Sequence, residues 1–191
     1  TIGDYLDDIV ARFPGREALV VPHQGIRWTY AQYLREIEKL AAGLLALGIG
    51  AGDRVGIWSP NGYEWCLTQF ATAKIGAILV NINPAYRVFE LEYALKKSGC
   101  RAVIAAEQFK SSHYLEMLSY LAPELTVCAP GRLHAQKLPQ LETVIRMGAA
   151  GPELVAVVSG RTELDGAEAT VAVSAAAMLE DLAAARAAAA P

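Results

Sequence analysis

Apolar residues recur at helical spacing at the start of the chain and then give way to two short strand-like stretches. Residues 2–12 place apolar side chains every three or four positions and end at Phe13-Pro14-Gly15, which predicts a first helix. The apolar stretches 17–22 and 26–30 flank the turn residues Gln24-Gly25. Two such stretches so close together predict a β-hairpin.

A second helix is predicted directly after this hairpin. The side chain of Thr29 can accept a hydrogen bond from the backbone of Gln32, and Gln32 can return one, which is the capping-box pattern. Apolar residues then recur at helical spacing from Tyr33 to Leu45. The helix is expected to end at Leu47-Gly48.

From residue 54 to residue 121, strand-like apolar stretches alternate with helical ones. Strands are predicted at 54–58, 77–82 and 102–107, and helices at 62–75, 87–98 and 109–121. Asn61 is expected to cap the helix 62–75, and Gly99 to end the helix 87–98. The uninterrupted apolar stretch 77–82 is typical of a strand covered on both faces. The alternation predicts an α/β fold, a mostly parallel sheet with helices on both faces.

The pattern is less regular beyond Pro123. Short strands are expected at 125–128, 142–147 and 153–159, and the alanine-rich stretch 174–191 predicts a helix. Residues 125–173 as a whole are expected to be less regular than the rest. Because no linker divides the sequence, a single domain over residues 1–191 is predicted.

Composition narrows the class of protein. A formal net charge of -3 and a pI of about 5.6 argue against a nucleic-acid partner. No apolar stretch approaches the length of a transmembrane segment, and the acidic start lacks the basic residues of a signal peptide, which indicates a cytoplasmic protein. The three cysteines are widely spaced without a C-x-x-C pair, so they are interpreted as buried, reduced thiols: Cys66, Cys100 and Cys128.

The glycine-rich stretch from Gly48 to Gly52 could suggest a phosphate site. A dinucleotide fingerprint follows a strand and opens a helix, whereas these glycines follow a helix and precede a strand. The carbonyl end of a helix carries partial negative charge, and Asp53 would add to the repulsion of a phosphate. The stretch is therefore interpreted as a structural turn, with Gly48 as a left-handed helix cap.

Histidines and acidic pairs offer no catalytic arrangement. The three histidines lie in polar surroundings and are interpreted as solvated: His23 in a turn, His113 on a helix face and His134 in a loop. Asp7-Asp8, Glu90 and Glu92 fall on the polar faces of predicted helices. The residues by themselves therefore predict no catalytic residue, no cofactor-binding residue and no metal ligand.

Three stretches occur in a familiar order. They are WTYAQYLREIEKLAAGLLALGIGAGDRVGIWSPNGYEW, QFATAKIGAILVNINPAYR and ELEYALKKSGCRAVIA. Together they resemble the N-terminal part of the AMP-forming acyl-CoA synthetases, members of the adenylate-forming superfamily. NINPAYR and ELEYALKKSGC are most similar to the fatty-acyl branch. The resemblance covers Thr1 to about Leu125 and implies a subdomain of the large N-terminal domain of these enzymes.

The resemblance implies a two-step reaction in a longer parent enzyme. A carboxylate attacks the α-phosphate of ATP and releases pyrophosphate, and the thiol of CoA then displaces AMP to give a thioester. ATP, Mg²⁺ and CoA are thus the expected cofactors of the parent, with the cation and a backbone cradle stabilising the phosphates. The parent is expected to be a fatty-acid–CoA ligase.

The sequence departs from the family at its nucleotide motifs. The phosphate loop [YF]-T-S-G-[ST]-T-G-x-P-K-G is absent, and no family catalytic residue can be transferred. The chain is interpreted as an inactive N-terminal scaffold fragment, with the loop expected just past Pro191 and with the rest of the enzyme, including its C-terminal domain, as partner. Helix 62–75 and the turn from Asn81 to Arg87 are its candidates for the wall of the active-site cleft.

Two other functions stay open. The chain could be a free-standing, non-catalytic α/β module that binds a small ligand at the carboxyl ends of its strands. It could also act in dimerisation, because a piece of a larger domain would expose apolar surface.

Overall fold

The computed structural model describes residues 1–128 and 131–147. Within them the chain forms two compact units, each described by itself below. The first contains residues 1–52 and 61–79, and the second contains residues 53–60 and those from 80 onward. In this part of the chain, no helix is both long and apolar enough to cross a membrane.

The first unit combines three helices with an antiparallel hairpin. Its elements are α1 (Ile2–Arg12), β1 (Glu17–Val21), β2 (Ile26–Thr29), α2 (Tyr30–Ala46) and α3 (Tyr63–Lys74). A short 3₁₀ helix, Pro22–Gln24, joins β1 to β2, which pair antiparallel. The helices contact one another, and the hairpin contacts α2. The predicted hairpin and all three helices of this unit are confirmed.

Helix α2 begins as its sequence predicts, whereas α3 does not. Thr29 and Gln32 form the reciprocal capping box at the start of α2. At α3 the cap position is the extended Gly62, so the prediction of Asn61 as the cap is wrong. The backbone N–H of Tyr63 donates instead to Oε1 of Gln24 at 2.8 Å.

The same Gln24 side chain also binds an acidic residue in the first turn of α3. Its Nε2 donates to both carboxylate oxygens of Glu64, at 2.9 and 3.1 Å. A Cβ on Gly62 would lie 2.5 Å from one of those oxygens, so only glycine fits there without displacing Glu64. The start of α3 is therefore satisfied by a residue from the hairpin.

Replacing Gln24 with alanine is expected to lower the free energy of unfolding by about 1 kcal/mol, the usual cost of losing a helix cap. Asn61→Ala is the matched control and is expected to change it by less than about 0.5 kcal/mol, because Asn61 is exposed and does not cap α3. Urea denaturation followed by circular dichroism measures both. Equal losses in the two variants would contradict the assignment.

The second unit is built on a parallel sheet. Its elements are β3 (Arg54–Trp58), β4 (Ile78–Asn81, which begins in the first unit), α4 (Val88–Ser98), β5 (Ala102–Ala105), β6 (Gln108–Phe109), β7 (Ser112–His113), α5 (Tyr114–Leu121) and β8 (Thr143–Arg146). The four-stranded sheet has the order β4-β3-β5-β8, and β3, β5 and β8 are parallel. The α/β prediction of a mostly parallel sheet with helices is confirmed.

Three local predictions in this unit are wrong. The first part of the helix predicted at 109–121 is a small antiparallel hairpin of β6 and β7, turning at Lys110 with φ 53°. The strand predicted at 125–128 is replaced by a 3₁₀ helix, Pro123–Thr126. Among the described strands β4 lies at an edge of the sheet, and Ile78 and Asn81 are exposed, so it is not covered on both faces. The strand predicted at 142–147 is confirmed as β8, while 153–159 and 174–191 lie outside the described residues.

An ion-pair network joins the amino ends of three strands. Arg101, directly before β5, donates to Asp53 at 2.8 Å and to Glu142 at 2.9 Å. Asp53 directly precedes β3, and Glu142 directly precedes β8. These hydrogen bonds raise the pKa of the Arg101 guanidinium. The aspartate of the G-D-R-V turn therefore helps to align neighbouring strands.

Candidate functional site

The carboxyl edge of the parallel sheet is where ligands bind in open α/β folds. In the second unit this edge lies beyond Trp58, Ala105 and Arg146, the last residues of β3, β5 and β8. The turn predicted as a cleft wall follows β4 directly. Its last five residues, 83–87, are called the 83–87 turn below.

Two stacked aromatic side chains support the 83–87 turn. The rings of Trp58 and Tyr114 are nearly parallel, with an interplanar angle of 12° and centroids 3.6 Å apart. Trp58 Nε1 donates to the carbonyl of Asn83 at 3.1 Å, and the Tyr114 hydroxyl donates to the carbonyl of Pro84 at 2.5 Å. Both rings are fully buried. Burial raises the pKa of Tyr114 to about 12, so its hydroxyl keeps its proton at neutral pH.

Side chains within the turn complete its conformation. Oδ1 of Asn83 accepts a hydrogen bond from the backbone N–H of Ala85 at 2.9 Å. The backbone N–H of Arg87 donates to Glu90, and its guanidinium donates to the buried hydroxyl of Ser112 at 2.7 Å. The turn is thus held at both ends, with Asn83, Ala85 and Arg87 exposed.

The other candidate wall element, α3, lies in the first unit and packs there. Tyr33 donates its hydroxyl proton to the carbonyl of Cys66 at 2.8 Å and stacks edge-on against Phe70, 5.8 Å between centroids. At the end of α3 the ammonium group of Lys74 pairs with Asp7 at 2.5 Å and with Glu38 at 3.5 Å. The Lys74 side chain is only 1% exposed.

The acidic residues considered above have structural roles. Asp7 is not a solvated helix-face residue as predicted, because it neutralises the buried ammonium group of Lys74. Asp8 pairs with Arg12 at the surface. Glu90 accepts from the N-cap backbone of α4, and Glu92 pairs with Lys96 one turn further along the same helix.

The predicted exposure of the three histidines is confirmed, whereas the predicted burial of the cysteines is confirmed only for Cys100. His23, His113 and His134 are all exposed, although His113 ends β7 and does not lie on a helix face. Cys100 is buried, whereas Cys66 and Cys128 are half-buried. Burial raises the pKa of the Cys66 and Cys100 thiols, which keeps them protonated and weakly nucleophilic.

The glycine-rich stretch is a turn at a helix end. Gly48 (φ 78°) and Gly52 (φ 83°) have the left-handed conformation, which favours glycine. The N–H of Gly52 donates to the carbonyl of Gly76 at 2.9 Å. The backbone of this stretch therefore makes hydrogen bonds within the fold, which confirms its interpretation as a structural turn.

Comparison with known proteins places this architecture in one family. The profile of the family described as AMP-binding enzyme matches residues 6–184. The chain is 47% identical over 171 residues to the medium-chain acyl-CoA ligase ACSF2, mitochondrial, of Homo sapiens, covering 86% of this chain and 28% of that protein. It is 51% identical over 145 residues to the protein of the same name in Danio rerio, covering 76% and 24%.

A solved structure shows the same fold. The N-terminal domain of FACL13 from Mycobacterium tuberculosis superposes with a TM-score of 0.64 at 27% identity, covering 87% of this chain and 39% of that one. The chain spans about a quarter of the length of the curated relatives it matches.

The relatives also bear on location and family. The predicted cytoplasmic location is wrong, because the relatives from Homo sapiens and Danio rerio are both named as mitochondrial proteins. The predicted resemblance to the AMP-forming acyl-CoA synthetases is confirmed by the family match over residues 6–184 and by the relatives' names. The chain belongs to the AMP-binding enzyme family.

Proposed function

We propose that this chain is the N-terminal part of an AMP-forming acyl-CoA ligase that acts on medium-chain carboxylic acids in the mitochondrion. The observation that carries the proposal is the 47% identity over 171 residues to the human medium-chain acyl-CoA ligase. The reaction joins a carboxylate to AMP with release of pyrophosphate, and the CoA thiol then displaces AMP. The length of the relatives supports a longer parent protein that supplies the remaining domains.

Neither the glycine-rich turn nor any acidic cluster of the described residues fits a site for the phosphates of ATP or for Mg²⁺. The glycine-rich turn follows the end of α2, and the neighbouring Asp53 is paired with Arg101. In residues 1–128 and 131–147, no three histidine, cysteine or acidic side chains come together as a metal site would need. We therefore place no nucleotide or cation on the described residues and derive no reaction step from them.

The contribution proposed for this chain is structural support of the cleft. The 83–87 turn stands at the carboxyl edge of the sheet, and Trp58 and Tyr114 hold it through its backbone carbonyls. A turn fixed in this way can present its exposed side chains to a substrate from a constant backbone conformation. Helix α3 of the first unit stays a separate proposal for a wall element.

Pyrophosphate exchange into ATP tests the proposal. The product of the complete open reading frame is expected to catalyse exchange that depends on octanoate or decanoate and is weaker with palmitate. The isolated 191-residue chain is expected to show none, because it lacks the phosphate loop. The complete protein without added acid is the control.

Each part of the proposal can fail separately. Exchange above background by the purified 191-residue chain would overturn its role as a scaffold. Equal or better exchange with palmitate would overturn the medium-chain assignment. An open reading frame that ends at Pro191 would favour the non-catalytic module instead.

A further inference from the structure

The β6–β7 hairpin stands at the same edge of the sheet as the 83–87 turn. It begins at Gln108, three positions after Ala105, the last residue of β5. Each of its strands has only two residues, and Lys110 at its tip has a φ of 53°, which L side chains seldom adopt. Because an isolated hairpin is at best marginally stable, contacts with the rest of the second unit must hold this one in place.

Two side-chain hydrogen bonds join the hairpin to the 83–87 turn. The guanidinium group of Arg87 donates to the hydroxyl of Ser112 in β7 at 2.7 Å. Tyr114, directly after β7, donates its hydroxyl proton to the carbonyl of Pro84 at 2.5 Å, and its backbone N–H donates to the carbonyl of Glu107 at 3.0 Å, which closes the base of the hairpin. The hairpin and the turn are therefore held to each other at two points.

Arg87 is arranged to act on Ser112. Its backbone N–H donates to the carboxylate of Glu90 at 3.0 Å, which fixes the point from which the side chain extends. Ser112 is only 8% exposed, and a buried hydroxyl needs a hydrogen-bond partner. A charged donor makes a stronger hydrogen bond than a neutral one. The exposed Arg87 could instead bind an anionic substrate directly, but its contact with Ser112 favours a role within the protein.

We propose that Arg87 is a positioning residue of the ligase. Through Ser112 it fixes the β6–β7 hairpin against the 83–87 turn and so sets the shape of the carboxyl edge of the sheet, where ligands bind in open α/β folds. This inference rests on the proposed function. Displacing groups that bind a substrate equally before and during the reaction raises KM and leaves kcat unchanged, so the loss of this contact should appear in KM.

A double-mutant cycle on the product of the complete open reading frame tests the proposal. Arg87→Met and Ser112→Ala are each expected to raise the KM for the acid or for CoA about fivefold, with kcat changed by less than about twofold. The double variant should be no worse than either single variant, because both substitutions remove the same contact. Ser112→Thr keeps the hydroxyl and should stay close to the wild type. Arg132→Met, at an exposed arginine of the same unit, is the matched control.

Hydrogen–deuterium exchange followed by mass spectrometry gives a readout that does not depend on activity. The amides of residues 108–114 are expected to exchange about tenfold faster in Arg87→Met and Ser112→Ala than in the wild type or in Arg132→Met, because the hairpin opens more often once it is held at one point only. The amides of α2 in the first unit should exchange at the wild-type rate in all variants.

The outcomes separate this inference from the proposed function. A wild type without acid-dependent pyrophosphate exchange would overturn the proposed function and the positioning role with it. With an active wild type, unchanged KM values in both single variants, or unchanged hydrogen exchange in residues 108–114, overturn the positioning role alone. Effects on KM that add up in the double variant would mean that Arg87 binds a substrate directly, which also overturns the positioning role.

Discussion

Replacing Trp58 with alanine is expected to lower the free energy of unfolding by about 3–5 kcal/mol, the range for removing a large buried aromatic side chain. Trp58 is fully buried, stacks on Tyr114 and binds the carbonyl of Asn83. Alanine would leave a cavity beside β3 and remove one of the two hydrogen bonds to the carbonyl of Asn83, which also accepts from the N–H of Tyr86. Because most domains are stable by only about 5–15 kcal/mol, a large share of the stability is at stake. Urea denaturation followed by far-UV circular dichroism measures the loss.

Matched variants separate this role from a general effect of losing an aromatic ring. Tyr120→Ala changes an exposed ring in the same unit and is expected to cost less than about 0.5 kcal/mol. Tyr114→Phe keeps the stack and removes only the hydroxyl that binds the carbonyl of Pro84, at an expected cost of about 1–3 kcal/mol. That variant keeps the test usable if Trp58→Ala does not fold. A Trp58→Ala loss under about 1 kcal/mol would contradict the role given to the stack.

The contacts of Trp58 and Tyr114 bear on function because both go to backbone carbonyls of the turn. These two contacts do not depend on which side chains the turn carries, whereas the side chains of Asn83 and Arg87 add further hydrogen bonds to Ala85 and Ser112. If the 83–87 turn lines the cleft of the complete ligase, Tyr114→Phe should alter the KM for the acid more than kcat. Equal values in the variant and the wild type would limit Tyr114 to a role in stability.

Elements determined by neighbouring residues could be predicted from the sequence. The start of α2 depends on Thr29 and Gln32, which are three residues apart and cap each other. The end of α4 depends on Gly99, whose φ of 66° favours glycine and follows directly from its place after the helix. Such interactions join residues a few positions apart, so the local sequence is enough to predict them.

Elements determined by distant residues could not be predicted in this way. The cap of α3 comes from Gln24, which is 39 residues from Tyr63. The position of β4 at an edge follows from the order of strands, which an apolar stretch does not encode. The small hairpin before α5 has strands of only two residues each, too short for a strand pattern in the sequence, and its burial of Ser112 against Arg87 depends on the packed unit.

In the candidate site, too, local motifs could be predicted from the sequence and contacts between distant residues could not. The resemblance through the G-D-R-V turn identified the family, and the structure assigns Asp53 of that turn to the ion pair with Arg101. Trp58 and Tyr114 are far apart in sequence and were not recognised as a pair, because each falls in an ordinary apolar stretch. The sequence offers one indication of their role: the N–H of a buried tryptophan and the O–H of a buried tyrosine usually need a hydrogen-bond partner.

Replacing Lys74 with methionine is expected to lower the free energy of unfolding by about 2–4 kcal/mol, somewhat less than the usual cost of breaking a fully buried ion pair. The Lys74 side chain is 1% exposed, and its ammonium group is the cation between Asp7 and Glu38. Methionine would fill much of the same space. The negative charges of Asp7 on α1 and Glu38 on α2 would then lack the cation at the end of α3. Both carboxylates keep some access to water, which limits the loss. Urea denaturation at low and high salt measures it.

The same substitution at the surface provides the control. Lys39 pairs with Glu36 on α2 in the same unit but is 57% exposed, so Lys39→Met is expected to cost less than about 1 kcal/mol. Adding Asp7→Asn to Lys74→Met should restore part of the stability, because it removes one of the two negative charges that Lys74 neutralises. High salt should reduce the small effect at Lys39 more, in proportion, than the large effect at Lys74, since buried charges are poorly screened. Equal losses at Lys39 and Lys74 would show that burial adds nothing to this ion pair.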